Sequence, residues 1–177
     1  MFKNAAEIFA YIKKEDVKLV DVRFTDLPGI QHHFNVPVES FDEAVFTDGL
    51  MFDGSSIRGF QTINESDMKL LPVPGSAYID PYRKEKTLII IFSVHNPVDN
   101  TPYSRDPRGV VARAVDYMRS LGIADTAFFA PEAEFYVFDS VRFKTTINSA
   151  VHEIESYEGA WNTGVEYDAD GTPNRGY

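Results

Sequence analysis

The chain has 177 residues, a formal net charge of −10 and no cysteine. Its hydrophobic content of 44% and aromatic content of 14% are ample for a packed core, which argues against disorder. The acidic balance disfavours binding to nucleic acid or to anionic membranes, and the lack of cysteine rules out disulfides and thiolate chemistry within this sequence. Because we find neither a signal peptide nor an apolar run of ~20 residues, we expect a cytoplasmic protein.

The first forty residues predict a helix followed by a hairpin. Asn4 and Glu7 are spaced as a capping box, which predicts a helix from the next residue onward. Residues 17–24 are rich in β-formers, and residues 30–36 alternate apolar with polar. Leu-Pro-Gly at 27–29 lies between them as a turn, with proline and then glycine as its two central residues. His32 and His33 are adjacent and face opposite ways, so they are a poor metal pair.

A polar loop is predicted over residues 48–60, after a second capping box at Ser40–Glu43 that opens a short helix. Three glycines and two serines interrupt any periodicity in this loop, and Asp53 and Ser56 lie at its tip. Loops of this composition often carry function, but the same residues also make plain connections. Composition alone favours the plain connection, because glycine, serine and aspartate mark most turns.

The second half of the chain begins after a central strand and a linker. Residues 86–95 form an apolar run that predicts a strand buried on both faces, and the proline-containing segment 96–103 predicts a boundary between domains 1–103 and 104–177. Asp106 and Pro107 predict the start of a helix that ends at Gly122. Its predicted buried stripe comprises Val111, Ala114, Val115 and Met118.

Two glutamates stand out in the aromatic segment 125–139. We predict a strand over residues 127–138, which places the Glu132 and Glu134 carboxylates on one face with Cα atoms about 6.6 Å apart. Such a pair repels itself unless a cation binds or one acid keeps its proton, and hard divalent ions prefer these oxygens. A solvated sheet face, an Arg or Lys partner, and a glycosidase acid/base pair remain alternatives.

From Val141 onward we expect the chain to loosen. His152, Glu153 and Glu155 are expected to be solvated rather than to bind a metal. The polar segments 162–164 and 168–176 read as loops. Asp168 and Asp170 hint at calcium, but the twelve-residue loop and its closing glutamate are lacking, which rules out an EF-hand.

Taken together, several ordered motifs resemble the N-terminal part of a type I glutamine synthetase of the bacterial, especially actinobacterial, kind. The motifs are DVRFTDLPG at 21–29, FDGSSIRGF at 52–60, YSRDPR at 103–108, PEAEF at 131–135, GAWN at 159–162 and NRG at 174–176. The resemblance covers essentially the whole chain. It implies an α+β fold, with a β-grasp domain over 1–103 and the first helix and strands of an incomplete catalytic barrel over 104–177.

The resemblance also implies an activity and its residues. The family joins glutamate and ammonia with ATP, through γ-glutamyl phosphate, in a two-ring homo-dodecamer that requires Mg²⁺ or Mn²⁺. Asp53 matches the aspartate that binds ammonium and removes its proton in the neighbouring subunit's site, and Ser56 matches the serine beside it. Glu134 matches a ligand of the metal nearer glutamate, and Glu132 a ligand of the metal that bridges the ATP phosphates.

Two departures and two alternatives accompany this resemblance. Ala130 stands where glycine is usual, and Phe60 stands where many relatives have tryptophan. Since the remaining family ligands cannot be assigned here, we expect the 177-residue chain alone to make no glutamine. The alternatives are a catalytically silent β-grasp interaction or assembly module, and a glutamate–amine ligase of the same superfamily that uses a polyamine.

Overall fold

The computed structural model describes residues 1–156, 159 and 161. They fall into two compact units, Met1–Ala127 (unit 1) and Phe128–Tyr177 (unit 2). Helices and strands are mixed within the chain, which confirms the predicted α+β class. Within the described residues, no helix combines the length and apolar character that a membrane span requires.

Unit 1 is built on one mixed sheet. Its elements are α1 (Ala5–Glu15), β1 (Leu19–Thr25), β2 (Gln31–Pro37), β3 (Leu50–Asp53), β4 (Asp67–Pro72), β5 (Tyr78–Ile79), β6 (Thr87–His95) and α2 (Pro107–Ser120). The strand order is β2-β1-β6-β4-β3, and β5 also pairs with β6. β1 and β6 run parallel, whereas the other pairs are antiparallel.

The central strand is β6, as the apolar run at 86–95 predicted. It pairs with β1, β4 and β5, and its residues from Thr87 to Ile90 are all buried. Phe92 and Val94 are fully buried as well. Burying one such large apolar side chain contributes roughly 1.5–3 kcal/mol, so this strand organises the core of unit 1.

Helix α1 begins as predicted. The Asn4 side chain accepts a hydrogen bond from the Glu7 N–H at 3.0 Å, and Ile8 and Ile12 are buried. The Glu7 carboxylate accepts a hydrogen bond from the Lys3 N–H at 2.8 Å. In a standard capping box it would accept from the Asn4 N–H, so the reciprocal bond lies one residue earlier than the motif requires.

The predicted hairpin is confirmed, with Leu19 to Thr25 paired in antiparallel register to Pro37 to Gln31. The predicted position of its turn is wrong by one residue. The Gly29 N–H donates to the Asp26 carbonyl at 3.1 Å, which makes Gly29 the last residue of the turn rather than a central one. Gly29 has φ +94°, a conformation that glycine adopts without steric cost.

Two further local predictions need correction. The short helix after residue 40 is a 3₁₀ turn, Glu43–Phe46, and its cap is Asp42 rather than Ser40. Asp42 accepts a hydrogen bond from the Ala44 N–H at 3.0 Å, which is the local side-chain bond that favours aspartate at this position. The predicted loop 48–60 also contains strand β3, because Leu50–Asp53 pairs with β4.

Helix α2 has the predicted ends but not the predicted burial. The Asp106 side chain accepts from the Arg108 N–H at 2.9 Å, and Gly122 follows the helix at φ +65°. The buried stripe is wrong, since α2 has no buried residue and Val111 is 60% exposed. An apolar helix face is buried only where another element supplies a packing surface, and sequence periodicity does not report that surface.

Unit 2 differs most from the sequence predictions. The expected loosening after Val141 is wrong, because β7 (Ser140–Thr146) and β8 (Ser149–Glu155) form an antiparallel hairpin. The strand predicted over 127–138 is wrong too: these residues lie in no strand, and Phe128 is 94% exposed. An extended segment becomes a strand only when a neighbour pairs with its backbone.

Of the remaining predictions for the C-terminal part, some concern residues that the structure describes and others do not. His152, Glu153 and Glu155 are exposed, in agreement with the expected solvation. The segments 162–164 and 168–176, with Asp168 and Asp170, lie outside the described residues.

Candidate functional site

The candidate site in unit 1 is the segment 53–60, called here the Asp53 loop. Asp53 ends β3 and caps the 3₁₀ turn Gly54–Ser56. Its Oδ1 accepts from the Ser55 N–H at 2.8 Å and from the Ser55 hydroxyl at 2.6 Å, and its Oδ2 accepts from the Ser56 hydroxyl at 3.1 Å. The structure therefore brings Asp53 and Ser56 together, and it adds Ser55, which the sequence analysis did not single out.

These bonds set the charge of the exposed carboxylate. The Ser55 hydroxyl and amide are the main causes that hold the pKa of Asp53 below its ordinary value; burial opposes them, and the Ser56 donors lower the pKa by a smaller amount. An aspartate is already ionised at neutral pH at its ordinary pKa, and the lowered pKa keeps Asp53 ionised to a lower pH. An exposed, ionised carboxylate with a fixed orientation is suited to holding a small cation.

Gly54 allows the loop to pass close to the chain ahead of β4. Its N–H donates to the Ser66 carbonyl at 2.6 Å. A Cβ at this position would lie 2.5 Å from Met68 Cγ and 3.1 Å from the Ser66 oxygen. Only glycine fits this approach without displacing the neighbouring backbone.

Two apolar side chains anchor the rest of the loop in the core of unit 1. Ile57 and Phe60 are buried in the core of unit 1, and the Phe60 ring meets the Tyr103 ring edge-on with centroids 5.3 Å apart. The Ile57 N–H donates to the Gly54 carbonyl at 3.2 Å. Asp53 and Ser56 are thus exposed on a loop whose base is fixed in the core.

A stack of rings continues from the residue before Asp53. The Phe52 ring lies 4.8 Å from that of Phe24, which stacks on His32 at 5.4 Å. His32 Nε2 lies 2.7 Å from Asp26 Oδ2. Burial alone would raise the pKa of Asp26. The hydrogen bonds from His32 and from the Ile30 N–H together outweigh burial, so the pKa of Asp26 lies below its ordinary value.

The second histidine has its own aspartate. His33 Nδ1 and Arg23 Nε each lie 2.8 Å from the carboxylate of Asp21, which is fully buried. Arg23 also lies 3.5 Å from Asp80. His32 and His33 thus contact different aspartates. These partners lie within the β1–β2 hairpin or next to its turn, and the sequence analysis did not single them out.

Glu132 and Glu134 belong to unit 2. Both are exposed and lie in a segment without regular structure. Within the described residues, no group of three or more His, Cys, Asp and Glu side chains is placed to hold a metal. Two carboxylates match the hard oxygen donors that Mg²⁺ and Mn²⁺ take, and Mg²⁺ is commonly held by one or two carboxylates with water and phosphate.

Two family models match the chain. The model described as "Glutamine synthetase, beta-Grasp domain" matches residues 16–97, and the one described as "Glutamine synthetase, catalytic domain" matches residues 104–172.

Curated relatives named glutamine synthetase match nearly all of the chain. The protein from Mycolicibacterium smegmatis is 57% identical over 175 residues, which are 99% of this chain and 37% of that protein. The protein from Streptomyces coelicolor is 55% identical over all of this chain and 36% of its own length. The chain therefore spans little more than a third of these relatives.

Solved structures share the fold. A cryo-EM structure of Plasmodium falciparum glutamine synthetase matches 98% of this chain and 34% of its own, with a TM-score of 0.73 and 21% identity. A structure described as a GmaS/ADP complex matches 63% of this chain and 25% of its own, with a TM-score of 0.57 and 19% identity. At these identities the likeness concerns the fold alone.

Replacing Ser55 with alanine removes one hydroxyl donor from Asp53, so the pKa of Asp53 is expected to rise towards its ordinary value. The pKa of Asp53 is lower in the folded chain than in the unfolded chain. The hydrogen bonds to its carboxylate therefore add to the free energy of unfolding above the unfolded pKa, and this contribution is lost as the pH falls through the folded pKa. Carbon-13 NMR titration of the carboxyl groups measures the pKa, and urea unfolding at several pH values measures the stability. Asp99, whose pKa is lowered by Thr101 in a similar turn, is the internal reference and stays unchanged. An unchanged Asp53 titration would contradict the prediction.

Proposed function

Because this chain belongs to the glutamine synthetase family, we propose that it supplies the ammonium-binding carboxylate of a glutamate–ammonia ligase. The enzyme joins ammonia to glutamate with ATP, through γ-glutamyl phosphate. The observation that carries the proposal is the Asp53 loop, which presents an ionised carboxylate on a buried base. Asp53 and Ser56 act in the site of a neighbouring subunit of a homo-oligomer, the two-ring dodecamer that the family resemblance implies.

Asp53 has two tasks in this proposal. Its negative charge attracts and orients NH₄⁺, and its oxygens accept the proton that must leave before nitrogen attacks the acyl phosphate. The lowered pKa makes the ionised carboxylate a weaker base, which favours binding of the cation over removal of its proton. The Ser56 hydroxyl, 3.1 Å from Asp53 Oδ2, limits the directions from which the ammonium ion reaches that oxygen.

Glu132 and Glu134 are proposed to hold divalent ions, Mg²⁺ or Mn²⁺, with ATP as co-substrate. Bound ions of this kind neutralise the oxygens of a transferring phosphoryl group. The residues themselves contribute hard oxygen donors two positions apart. Their support is the donor type and the PEAEF motif at 131–135.

The domain division is part of the same proposal. We place the β-grasp domain at 1–103 and the start of the catalytic domain at 104–177, and the family matches at 16–97 and 104–172 support this division. The cytoplasmic location remains a prediction, as does the absence of nucleic-acid and membrane partners.

A chimaera tests the proposed activity directly. In the M. smegmatis relative, the matching 175-residue segment is replaced by this chain, and ATP- and ammonium-dependent formation of glutamine is measured. We expect the chimaera to be active and the 177-residue chain alone to make no glutamine. Asp53→Asn should lower kcat/KM for ammonium by about 10²-fold or more, since a positioned proton acceptor contributes at least that much.

The matched control is Asp99→Asn. Asp99 is also exposed, and its carboxylate accepts from the amide and hydroxyl of Thr101. Activity equal to the parent chimaera is expected for this variant. Equal losses in both variants, or none in Asp53→Asn, would overturn the role of Asp53. An inactive chimaera that retains its assembly favours the silent assembly module, and activity with a polyamine in place of ammonium favours the amine ligase.

The metal assignment is tested by calorimetry of Mn²⁺ into the same chimaera. The double variant Glu132→Gln/Glu134→Gln should lose the Mn²⁺ binding heat, because amide oxygens carry no charge to offset that of the cation. Glu153→Gln/Glu155→Gln, a pair with the same spacing on β8, is the control and should bind normally. Equal heats in both double variants would contradict the assignment.

A further inference from the structure

Two donors from outside the Asp53 loop meet at its C-terminal end. The Tyr103 hydroxyl donates to the Phe60 carbonyl at 2.7 Å. Arg105 Nη1 donates to the same carbonyl at 2.7 Å and to the Gly59 carbonyl at 2.8 Å. The end of the loop is thus held by three hydrogen bonds from residues more than forty positions later in the chain.

The segment that carries these donors is itself fixed to the central strand. The Tyr103 N–H donates to the Val94 carbonyl at 2.9 Å, and the Val94 N–H donates to the buried Asp106 carboxylate at 2.9 Å. Asp106 also caps α2 through the Arg108 N–H. The start of α2, the end of β6 and the Asp53 loop therefore share one hydrogen-bonded junction.

We propose that Arg105 and Tyr103 are positioning residues that hold the Asp53 loop in its binding conformation through the carbonyls of Gly59 and Phe60. The consequence for ammonium binding rests on the proposed function of Asp53. The contacts themselves do not depend on that function, so the two ideas can be tested apart.

The geometry assigns Arg105 to the backbone of the loop. One guanidinium nitrogen reaches both carbonyls, and Gly59 at φ +84° gives the chain the conformation in which they lie together. Hydrogen bonds from a charged donor are stronger than neutral ones, which suits the exposed side of the junction. The Tyr103 hydroxyl takes the buried side, where an unpaired Phe60 carbonyl would be costly.

The loop transmits this restraint to Asp53 along its own backbone. The Phe60 N–H donates to the Ile57 carbonyl at 3.1 Å, and the Gln61 N–H donates to the Gly54 carbonyl at 3.4 Å. Releasing Phe60 therefore loosens the turn whose amides and hydroxyls bind the Asp53 carboxylate. A change at the start of α2 reaches Asp53 through the same bonds.

The test uses NMR on the full 177-residue chain with Arg105→Met. We expect the amides of Ile57 and Phe60 to exchange with solvent about tenfold faster, while that of Ile90 in β6 is unchanged. The pKa of Asp53 should rise towards its ordinary value as the Ser55 and Ser56 bonds are populated less. Arg105→Lys, which keeps the charge and one donor nitrogen, should show both effects to a smaller extent.

Two further variants complete the design. Tyr103→Phe removes only the hydroxyl and should also speed exchange at Phe60. Arg83→Met removes a guanidinium that lies near Asp80 instead of the loop, and it should leave both readouts unchanged. Unchanged exchange and titration in both Arg105→Met and Tyr103→Phe would overturn the proposal, as would an equal response to Arg83→Met. Because no readout requires catalysis, an inactive chimaera leaves this test intact.

Discussion

The burial of Ile57 and Phe60 is the constraint on which the candidate site depends. A short polar loop has many conformations in water, and an exposed carboxylate on such a loop has no fixed direction. Here two apolar side chains enter the core of unit 1, and Gly54 allows the chain to lie against Ser66. In the loop that these contacts hold, Asp53 accepts hydrogen bonds from Ser55 and Ser56.

The same constraint explains why the site is built at the end of a short strand. β3 fixes the chain up to Asp53 by pairing with β4, and the Phe52 ring contacts the Phe24 ring. Beyond Phe60, the Tyr103 and Arg105 donors fix the other end. A carboxylate held between two fixed ends binds a small cation without first ordering its own backbone, which is the physical advantage of a preorganised site.

Local sequence patterns predicted correctly those features of the fold that depend on residues close together in the chain. Asn4 and Asp106 cap their helices through bonds to residues two or three positions away, and the apolar run at β6 is buried as its composition predicts. The errors concern features that need a distant partner. No residue of the apolar stripe of α2 is buried within the described structure, and residues 127–138 form no strand, because periodicity does not specify what packs or pairs with an element.

The residues of the candidate site also separate into those that the sequence identified and those that only the structure identified. The family resemblance assigned Asp53 and Ser56, which lie three residues apart and hydrogen bond to each other. The residues that hold the loop, Tyr103 and Arg105, are separated from Phe60 by more than forty positions, and no spacing rule connects them. Glu132 and Glu134 were chosen from an alternation that assumed a strand. Their role now rests on their donor chemistry and on the family motif.

The most direct test of this account is a nuclear Overhauser measurement on the unmodified 177-residue chain. If the Asp53 loop is held by its buried residues, cross-peaks join the ring protons of Phe60 and Tyr103, and others join the α protons of Gly54 to the side chain of Met68. If both sets are missing while the β6 cross-peaks to β1 are present, the sheet forms without fixing the loop. That result would contradict the claim that the fold of unit 1 preorganises Asp53.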